Sequence, residues 1–244
     1  MIWEYSAFTD SVIMYTPCPT LKSFVSKEDF PRLIKLLKHV TAGTLNKHVS
    51  VLVLWGGPNS GKTTLIEIMT KLAPSYGRLN SSIFNTDHIN GQIPNIDEFG
   101  KSLVIGSEMS GNQLTLIMNS HKIFRQKTDE MRPLYGDYKT ITLGTFVLAS
   151  NVNIAEMCAE EILKLKKTRK MPLVFRLPCK FNNSKPNYDQ IIRKCIQEFS
   201  EIVISERIER VAAMSARLGS ANMPYGIIAS IGRRLNSLEC HINT

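Results

Sequence analysis

Apolar residues along the chain follow two different periods, and the alternation between these periods predicts an α/β protein. Apolar positions three and four apart over Phe30–Val40 predict a helix, and Ser26 followed by Asp29 is typical of the capping box that opens one. The β-branched run over Val49–Trp55 predicts a buried strand, and helical spacing returns over Thr64–Leu72. The sequence therefore predicts a helix, a buried strand and a second helix, in this order, before residue 73.

Three further apolar runs predict more buried strands. They cover Lys101–Glu108, Thr145–Asn151 and Leu173–Leu177. Between the first two, residues 121–142 alternate and contain turn signals at Arg132-Pro133 and Gly136-Asp137, which predicts a β-hairpin. Weaker patterns predict a short strand at Ile83–Asp87 and helices at Asn112–Ser120 and Ala155–Leu165.

The last part of the chain has only helical spacing. From about Asn187 onward, apolar residues recur three and four positions apart, and no strand pattern returns. We therefore expect an N-terminal arm and helix in residues 1–47, an α/β core in residues 48–182, and a helical C-terminal subdomain in residues 183–244.

The strand at Val49–Trp55 ends in a glycine-rich segment that matches the Walker A pattern. Such a loop wraps a phosphate chain with its backbone N–H groups, and the following helix directs its positive N-terminus at the anion. In this interpretation Lys62 reaches the β and γ phosphates, and Thr63 offers its hydroxyl to Mg²⁺. The predicted nucleotide-binding residues are Gly56, Gly57, Pro58, Asn59, Ser60, Gly61, Lys62, Thr63 and Thr64.

Two of the other predicted strands end in polar residues. Ligands of open α/β sheets bind at the carboxyl ends of the strands, so Glu108 is a candidate for holding Mg²⁺ or activating water. Asn151 is a candidate for contacting the attacking water or the γ-phosphate. The alternatives are a surface glutamate that opens the next helix and an ordinary asparagine in a turn.

Composition and charge narrow the class of protein. A chain of 244 residues that is 43% hydrophobic can bury one α/β core and a small satellite. Its net charge of +9 fits a polyanionic partner such as nucleic acid, although charge that serves solubility is the alternative. The five cysteines are scattered without a CxxC pair, which favours a reducing compartment and argues against zinc. No apolar run approaches a membrane span and no signal peptide is evident, so a soluble intracellular protein without a membrane partner is expected.

The order of these motifs resembles the superfamily 3 helicases of small DNA viruses, which are AAA+ ATPases. The likeness covers residues 26–180 and is strongest to the nonstructural replication initiators of parvoviruses and densoviruses. It implies a P-loop AAA+-like three-layer sandwich with a mostly parallel central sheet, a basic β-hairpin insertion and small helical flanking segments. It also implies that residues 48–182 form the ATPase core. The activity implied is ATP-dependent, Mg²⁺-requiring unwinding of viral DNA in the host nucleus. The resemblance also implies a ring-shaped homo-oligomer, a hexamer, that acts on single-stranded DNA and forked duplex.

The same resemblance assigns roles to individual residues. Asn151 matches the family's sensor asparagine, and Glu108 matches one of the two Walker B acids, the other position being Ser107. Lys127 matches the lysine of a DNA-gripping hairpin, and Arg125, Arg132 and Lys139 accompany it.

The family also uses an arginine finger supplied by the neighbouring subunit. Arg169 is the first candidate for this finger and Arg176 the second. The alternative for Arg169 is a solvated basic run or a nuclear import patch.

The sequence is compatible with several functions. Parvoviral initiators carry a nickase domain before the helicase, and residues 1–50 contain no His-x-His metal motif that would supply it. The chain is therefore interpreted as a helicase domain of a larger protein or as a product lacking the nickase. The alternatives are an RNA helicase of a positive-strand RNA virus, a small-molecule P-loop kinase, and a nucleotide-gated assembly module with little turnover.

Overall fold

A computed structural model describes residues 15–16, 20–79, 92–93, 96–110, 128–133, 137–152, 172–178, 180–181 and 187–218. The chain divides into two compact units, residues 1–188 and residues 189–244. The candidate site and the strands lie in the first unit, and each unit is considered by itself.

The described part of the chain contains ten strands and three α-helices. The strands are β1 (Tyr15–Thr16), β2 (Val51–Trp55), β3 (Tyr76–Leu79), β4 (Gln92–Ile93), β5 (Leu103–Gly106), β6 (Thr128–Pro133), β7 (Lys139–Thr142), β8 (Thr145–Ser150), β9 (Leu173–Arg176) and β10 (Lys180–Phe181). The helices are α1 (Phe30–Thr41), α2 (Lys62–Leu72) and α3 (Tyr188–Leu218). Short 3₁₀ turns occupy Leu21–Ser23, Leu45–Lys47 and Ile96–Gly100.

A five-stranded, fully parallel sheet forms the centre of the first unit. Its strand order is β3-β5-β8-β2-β9, and every neighbouring pair is parallel. The central strand β8 is buried along its whole length, as is β2 up to Trp55. The sequences of parallel strands that are buried on both faces are continuous apolar runs, and for this reason the sequence pattern predicted β2 and β8. The predicted α/β class with a mostly parallel central sheet is confirmed.

Helices α1 and α2 pack against each other, and α2 contacts the central strand β8. Helix α1 buries Leu33, Ile34, Leu36, Leu37 and Val40, which lie on one face because of their spacing. The Ser26 hydroxyl accepts a hydrogen bond from the Asp29 N–H at 3.1 Å, and Asp29 is the N-cap residue. The predicted capping pair therefore precedes the helix as a turn, and the helix itself starts at Phe30.

The predicted hairpin is present, with different bounds. Strands β6 and β7 are antiparallel, and their pairing runs from Thr128 opposite Thr142 to Met131 opposite Lys139. The prediction of a turn at Arg132-Pro133 was wrong, because both residues belong to β6, which ends at Pro133. The hairpin packs on the 3₁₀ turn at Ile96–Gly100.

Other differences from the predicted elements concern strands, and β1, β4 and β10 were not predicted. The sequence pattern did not predict β3, and the strand predicted at Lys101–Glu108 is shorter, since β5 covers Leu103–Gly106. The predicted elements at residues 83–87, 112–120 and 155–165 lie outside the described residues.

The second unit is described for helix α3. Its buried residues Ile191, Cys195 and Phe199 are four positions apart and therefore share one face. Farther along the helix, Ile208 and Met214 are exposed. No helix among the described residues is both long enough and apolar enough to cross a membrane.

Replacing Gly144 by alanine tests the packing at the start of β8. A Cβ atom at this glycine would overlap the carbonyl oxygen of Lys101, which is backbone and cannot move away cheaply. The Gly144 N–H is also fixed, since it donates to the Phe99 carbonyl oxygen at 3.0 Å. We expect Gly144→Ala to lower the free energy of unfolding by at least about 2 kcal/mol, measured by urea denaturation.

Gly57→Ala is the matched control for this stability measurement, because a Cβ atom at Gly57 would meet nothing within 4 Å. Its urea midpoint should stay close to that of the parent. Equal midpoints for Gly144→Ala and the parent would contradict the described approach of the loop at Gly144 to Lys101.

Candidate nucleotide-binding site

The glycine loop begins directly after β2, at the carboxyl edge of the sheet. At Gly56 a side chain has no room, because a Cβ atom would lie 2.6 Å from the Ser60 Oγ and 2.7 Å from the Leu177 carbonyl oxygen. At Gly61, the N-cap of α2, φ is 85°, a conformation that glycine adopts at little cost. Gly57, Pro58 and Asn59 are exposed. The loop is thus tightly packed against the protein at Gly56, whereas residues 57–59 are accessible to solvent.

The side chain of Lys62 lies across the loop. Its Nζ donates to the carbonyl oxygens of Gly56 at 2.6 Å and Gly57 at 2.7 Å, and to the Ser60 Oγ at 3.2 Å. Burial lowers the pKa of Lys62 below its usual range, because the charged ammonium loses hydration. The ammonium is therefore held at the loop by neutral oxygens, and a nearby anion would stabilise its charged form.

The N-terminus of α2 fits an anion. No side chain caps this end of the helix, and its first turn contains no acidic residue. The first N–H groups of a helix have no partner within the helix, and the helix dipole makes this end positive. Thr63 is exposed in the same turn, so a hydroxyl oxygen, a suitable ligand for Mg²⁺, lies beside these donors. The residues present therefore fit the phosphates and the metal of a nucleotide.

The polar residues predicted from three strands converge on one edge of the sheet. Strand β8, which leads to Asn151, lies between β2, which leads to the glycine loop, and β5, which leads to Glu108. Trp55 is in register with Ser150, and Gly106 is in register with Leu148. Since all these strands are parallel, their carboxyl ends lie side by side. Glu108 and Asn151 are both exposed there.

The backbone at Glu108 has an unusual conformation. Among the described non-glycine residues, only Asn59 and Glu108 have positive φ, at 60° and 56°. Asparagine adopts this left-handed conformation readily, whereas glutamate does so at a cost of about 1–3 kcal/mol. Such strain in the backbone is concentrated at functional sites. Both positive values occur on the loops that carry the predicted site.

Met109 anchors the strained loop. It is buried, its N–H donates to the Ala149 carbonyl oxygen at 2.9 Å, and its carbonyl oxygen accepts from the Ser150 hydroxyl at 3.1 Å. Its side chain lies against Gly106, where a Cβ atom would collide with it. Glu108 is therefore exposed on a loop whose next residue is fixed to β8. Neither Met109 nor Ser150 belongs to a sequence motif, and their contacts join distant parts of the chain, so the sequence pattern did not indicate them.

Arg176 lies at the base of the glycine loop of its own chain. Its Cα is in register with that of Trp55, and its Cζ lies 5.2 Å from the centroid of the Trp55 ring. A guanidinium over an indole ring is a favourable cation–π contact. Arg176, the second candidate for the arginine finger, therefore contacts Trp55, the residue before the glycine loop of its own chain.

Of the remaining predicted site residues, only Arg132 and Lys139 belong to the described part of the chain. Arg169, Arg125 and Lys127 lie outside the described residues. Lys139 is exposed at the first position of β7, beside the hairpin turn, and Arg132 is near the end of β6. Within Thr128–Thr142 the charges are mixed, because the chain also contains Asp129, Glu130 and Asp137.

Lys127 directly precedes Thr128, which pairs with Thr142 at the end of the hairpin away from the turn. The pairing therefore gives no support for placing the lysine of the DNA-gripping hairpin next to the turn. The residues next to the turn are Lys139 and the exposed Tyr138.

No protein-family model matches this chain, and neither does any curated protein. Among solved structures, the apo C-terminal region of NrS-1 is similar over 75% of this chain and 48% of its own length, with 15% identity and a TM-score of 0.40. NtrX from Brucella abortus in complex with ADP is similar over 62% of this chain and 36% of its own length, with 12% identity and a TM-score of 0.37. NtrX in complex with ATP has a TM-score of 0.36, with 11% identity over 64% of this chain and 40% of its own length. The chain therefore spans less than half the length of these structures.

Proposed function

We propose that this chain is the motor domain of a DNA helicase that hydrolyses ATP and moves along single-stranded DNA. The observation that carries the ATPase part is the arrangement of three neighbouring strand ends, in which Asn151 comes between the glycine loop and Glu108. A phosphate cradle, a carboxylate and an amide at one edge of a sheet are the groups that ATP hydrolysis needs.

In the proposed mechanism, the loop and the N-terminus of α2 bind the phosphates, and Lys62 contacts the β and γ phosphates. Glu108 orients the attacking water or accepts its proton, and Asn151 contacts the water or the γ-phosphate. Mg²⁺, held by Thr63 and through Glu108, would neutralise charge that develops on the phosphate oxygens. Preorganised charges and dipoles account for most of the rate enhancement in such reactions.

The helicase part is supported by the hairpin and by the net charge of +9. Tyr138 is 67% exposed and is followed by the exposed Lys139, next to the hairpin turn. An aromatic ring on which a base can stack, beside a cation that contacts phosphate, is suited to single-stranded nucleic acid. Arg125, Arg132 and Lys127 would add phosphate contacts. We further propose that the domain works as a ring-shaped homo-oligomer, hexameric by resemblance, with Arg169 completing the neighbouring site, in a host nucleus.

The test is ATP turnover of the purified chain with and without single-stranded DNA. We expect measurable basal hydrolysis with Mg²⁺ and a several-fold increase on adding DNA, since a translocating motor couples the two. Single-stranded RNA of the same length is the comparison that separates DNA from RNA specificity. Phosphorylation of a nucleoside without stimulation by DNA would instead favour the kinase, and binding of ATP without turnover would favour the assembly module.

The hairpin residues give a sharper test of DNA binding. Lys139→Ala should weaken binding of single-stranded DNA about equally for all sequences, because a phosphate contact carries no sequence information. The slope of log K against log salt should fall by about 0.7, the value for one phosphate on a single strand. Lys127→Ala should give the same change. Basal turnover should survive in both variants, because neither residue belongs to the phosphate site.

Lys27→Ala is the control for charge alone, since Lys27 is an exposed lysine in the turn before α1. It lowers the net charge equally and should leave the salt slope unchanged. If Lys139→Ala and Lys127→Ala behave like this control, the hairpin does not hold DNA.

A further inference from the structure

The hydroxyl of Ser150 connects the two loops that carry Glu108 and Asn151. Its side chain is 1% exposed, and it donates to the Met109 carbonyl oxygen at 3.1 Å. It also accepts a hydrogen bond from the Val152 N–H at 3.1 Å. Met109 directly follows Glu108, and Val152 directly follows Asn151. One buried hydroxyl thus bridges the backbones next to both candidate catalytic side chains.

The backbone of Ser150 adds a third connection. Its carbonyl oxygen accepts a hydrogen bond from the Gly56 N–H at 3.3 Å, at the first residue of the glycine loop. This bond does not involve the side chain, so it survives replacement of the serine. A substitution at Ser150 can therefore loosen the Glu108 and Asn151 loops while the link to the glycine loop is kept.

The loop of Glu108 needs such a fixed point. A left-handed glutamate persists only where the surrounding structure holds it, since relaxation would recover about 1–3 kcal/mol. The Met109 N–H, in the peptide that follows Glu108, donates to the Ala149 carbonyl oxygen at 2.9 Å, and the Ser150 hydroxyl holds the carbonyl of the following peptide, between Met109 and Ser110. Without the hydroxyl, the Met109 carbonyl loses this donor, and the backbone after Glu108 is held only by the bond of the Met109 N–H to Ala149.

We propose that Ser150 is a positioning residue that sets the Glu108 carboxylate against the Asn151 amide for attack of water on ATP. The proposal rests on the proposed ATPase function and adds to it a residue that does not contact the substrate. Displacement of a catalytic group by about 1 Å can cost on the order of 100-fold in rate. The phosphate cradle does not depend on the hydroxyl, so the rate should change and the affinity for ATP should not.

The experiment compares Ser150→Ala with Thr145→Val at the other end of the same strand. Thr145 is also fully buried, and its hydroxyl donates to the Val49 carbonyl oxygen at 2.8 Å. Both substitutions remove a buried hydroxyl from β8, and both should lower stability by a similar amount. Only Ser150→Ala should lower kcat, by roughly 10-fold to 100-fold. KM and the affinity for ATP, measured by titration calorimetry, should stay within about two-fold of the parent in both variants.

Ser150→Cys keeps nearly the same size and a weak donor, so its kcat should lie between those of the parent and the alanine variant. It carries the test if Ser150→Ala does not fold. A parental kcat in either folded Ser150 variant, or an equal loss of kcat in Thr145→Val, overturns the positioning role. An inactive parent overturns the proposed ATPase function itself, so the two failures are distinguishable.

Discussion

Replacing Lys62 by alanine is expected to reduce ATP turnover by about 100-fold or more. The substitution removes the cation that the loop holds by the Gly56 and Gly57 carbonyl oxygens at 2.6 and 2.7 Å. Removing one group that stabilises developing charge in a transition state typically costs on the order of 10²–10³ in kcat. Phosphate release at saturating ATP measures the effect, and calorimetry shows how much of it comes from binding.

Lys71→Ala is the matched control, since Lys71 is exposed in the last turn of the same helix. Loss of a cation there weakens a favourable contact with the helix dipole by about 0.3–1 kcal/mol, and turnover should be unchanged. If Lys62→Ala hydrolyses ATP within a few-fold of the parent, the loop is not the phosphate site. The function proposed for the chain would then lose its main support.

The glycine loop could be predicted from the sequence because its chemistry is local. A strand, a spaced set of glycines, a lysine and a helix follow one another within residues 49–72, and each is recognisable on its own. Strands β5 and β8 were predicted for a similar reason, since each contains a short apolar run that a polar residue follows. What the sequence pattern could not supply was the order of the strands, which places Asn151 between the other two groups.

Contacts between distant segments account for most of what was missed. Strand β3 has four residues, of which two are exposed, and it lies at the edge of the sheet, so it lacks the apolar run of a central strand. The anchoring of Met109 by Ala149 and Ser150 joins residues about 40 positions apart. The spacing of apolar residues along the chain does not indicate such a contact. Ser150, which follows an alanine in a buried strand, has the pattern of an ordinary strand residue.

The left-handed backbone at Glu108 was also invisible in the sequence. At Asn59 and Gly61 the residue type itself indicates a left-handed conformation, and the structure has φ values of 60° and 85° there. Glutamate gives no such indication. At positions 59 and 61 the left-handed backbone is formed by asparagine and glycine, which tolerate it. At position 108 it is formed by a glutamate, which does not. This contrast supports the role proposed for Glu108.

Replacing Glu108 by glutamine is expected to stop hydrolysis and to leave binding of ATP intact. Glutamine keeps the size of the side chain and removes the charge that would orient water or accept its proton. We expect kcat to fall by about 100-fold or more, as for other groups that act on the transition state. Ser107→Ala is the neighbouring control, and it should retain turnover. If Ser107 rather than Glu108 controls turnover, the assignment of the carboxylate is wrong.

Glu108→Asn separates strain from chemistry at the same position. It should be as inactive as Glu108→Gln, because neither variant has the carboxylate. Asparagine tolerates the left-handed conformation that glutamine does not, so Glu108→Asn should be more stable than Glu108→Gln by about 1 kcal/mol, measured as a higher urea midpoint at an unchanged slope. An inactive but more stable variant is the result expected when a chain keeps a strained residue for function. Equal midpoints would show that the backbone at this position stores no strain, and Ser150 would then have nothing to hold in place.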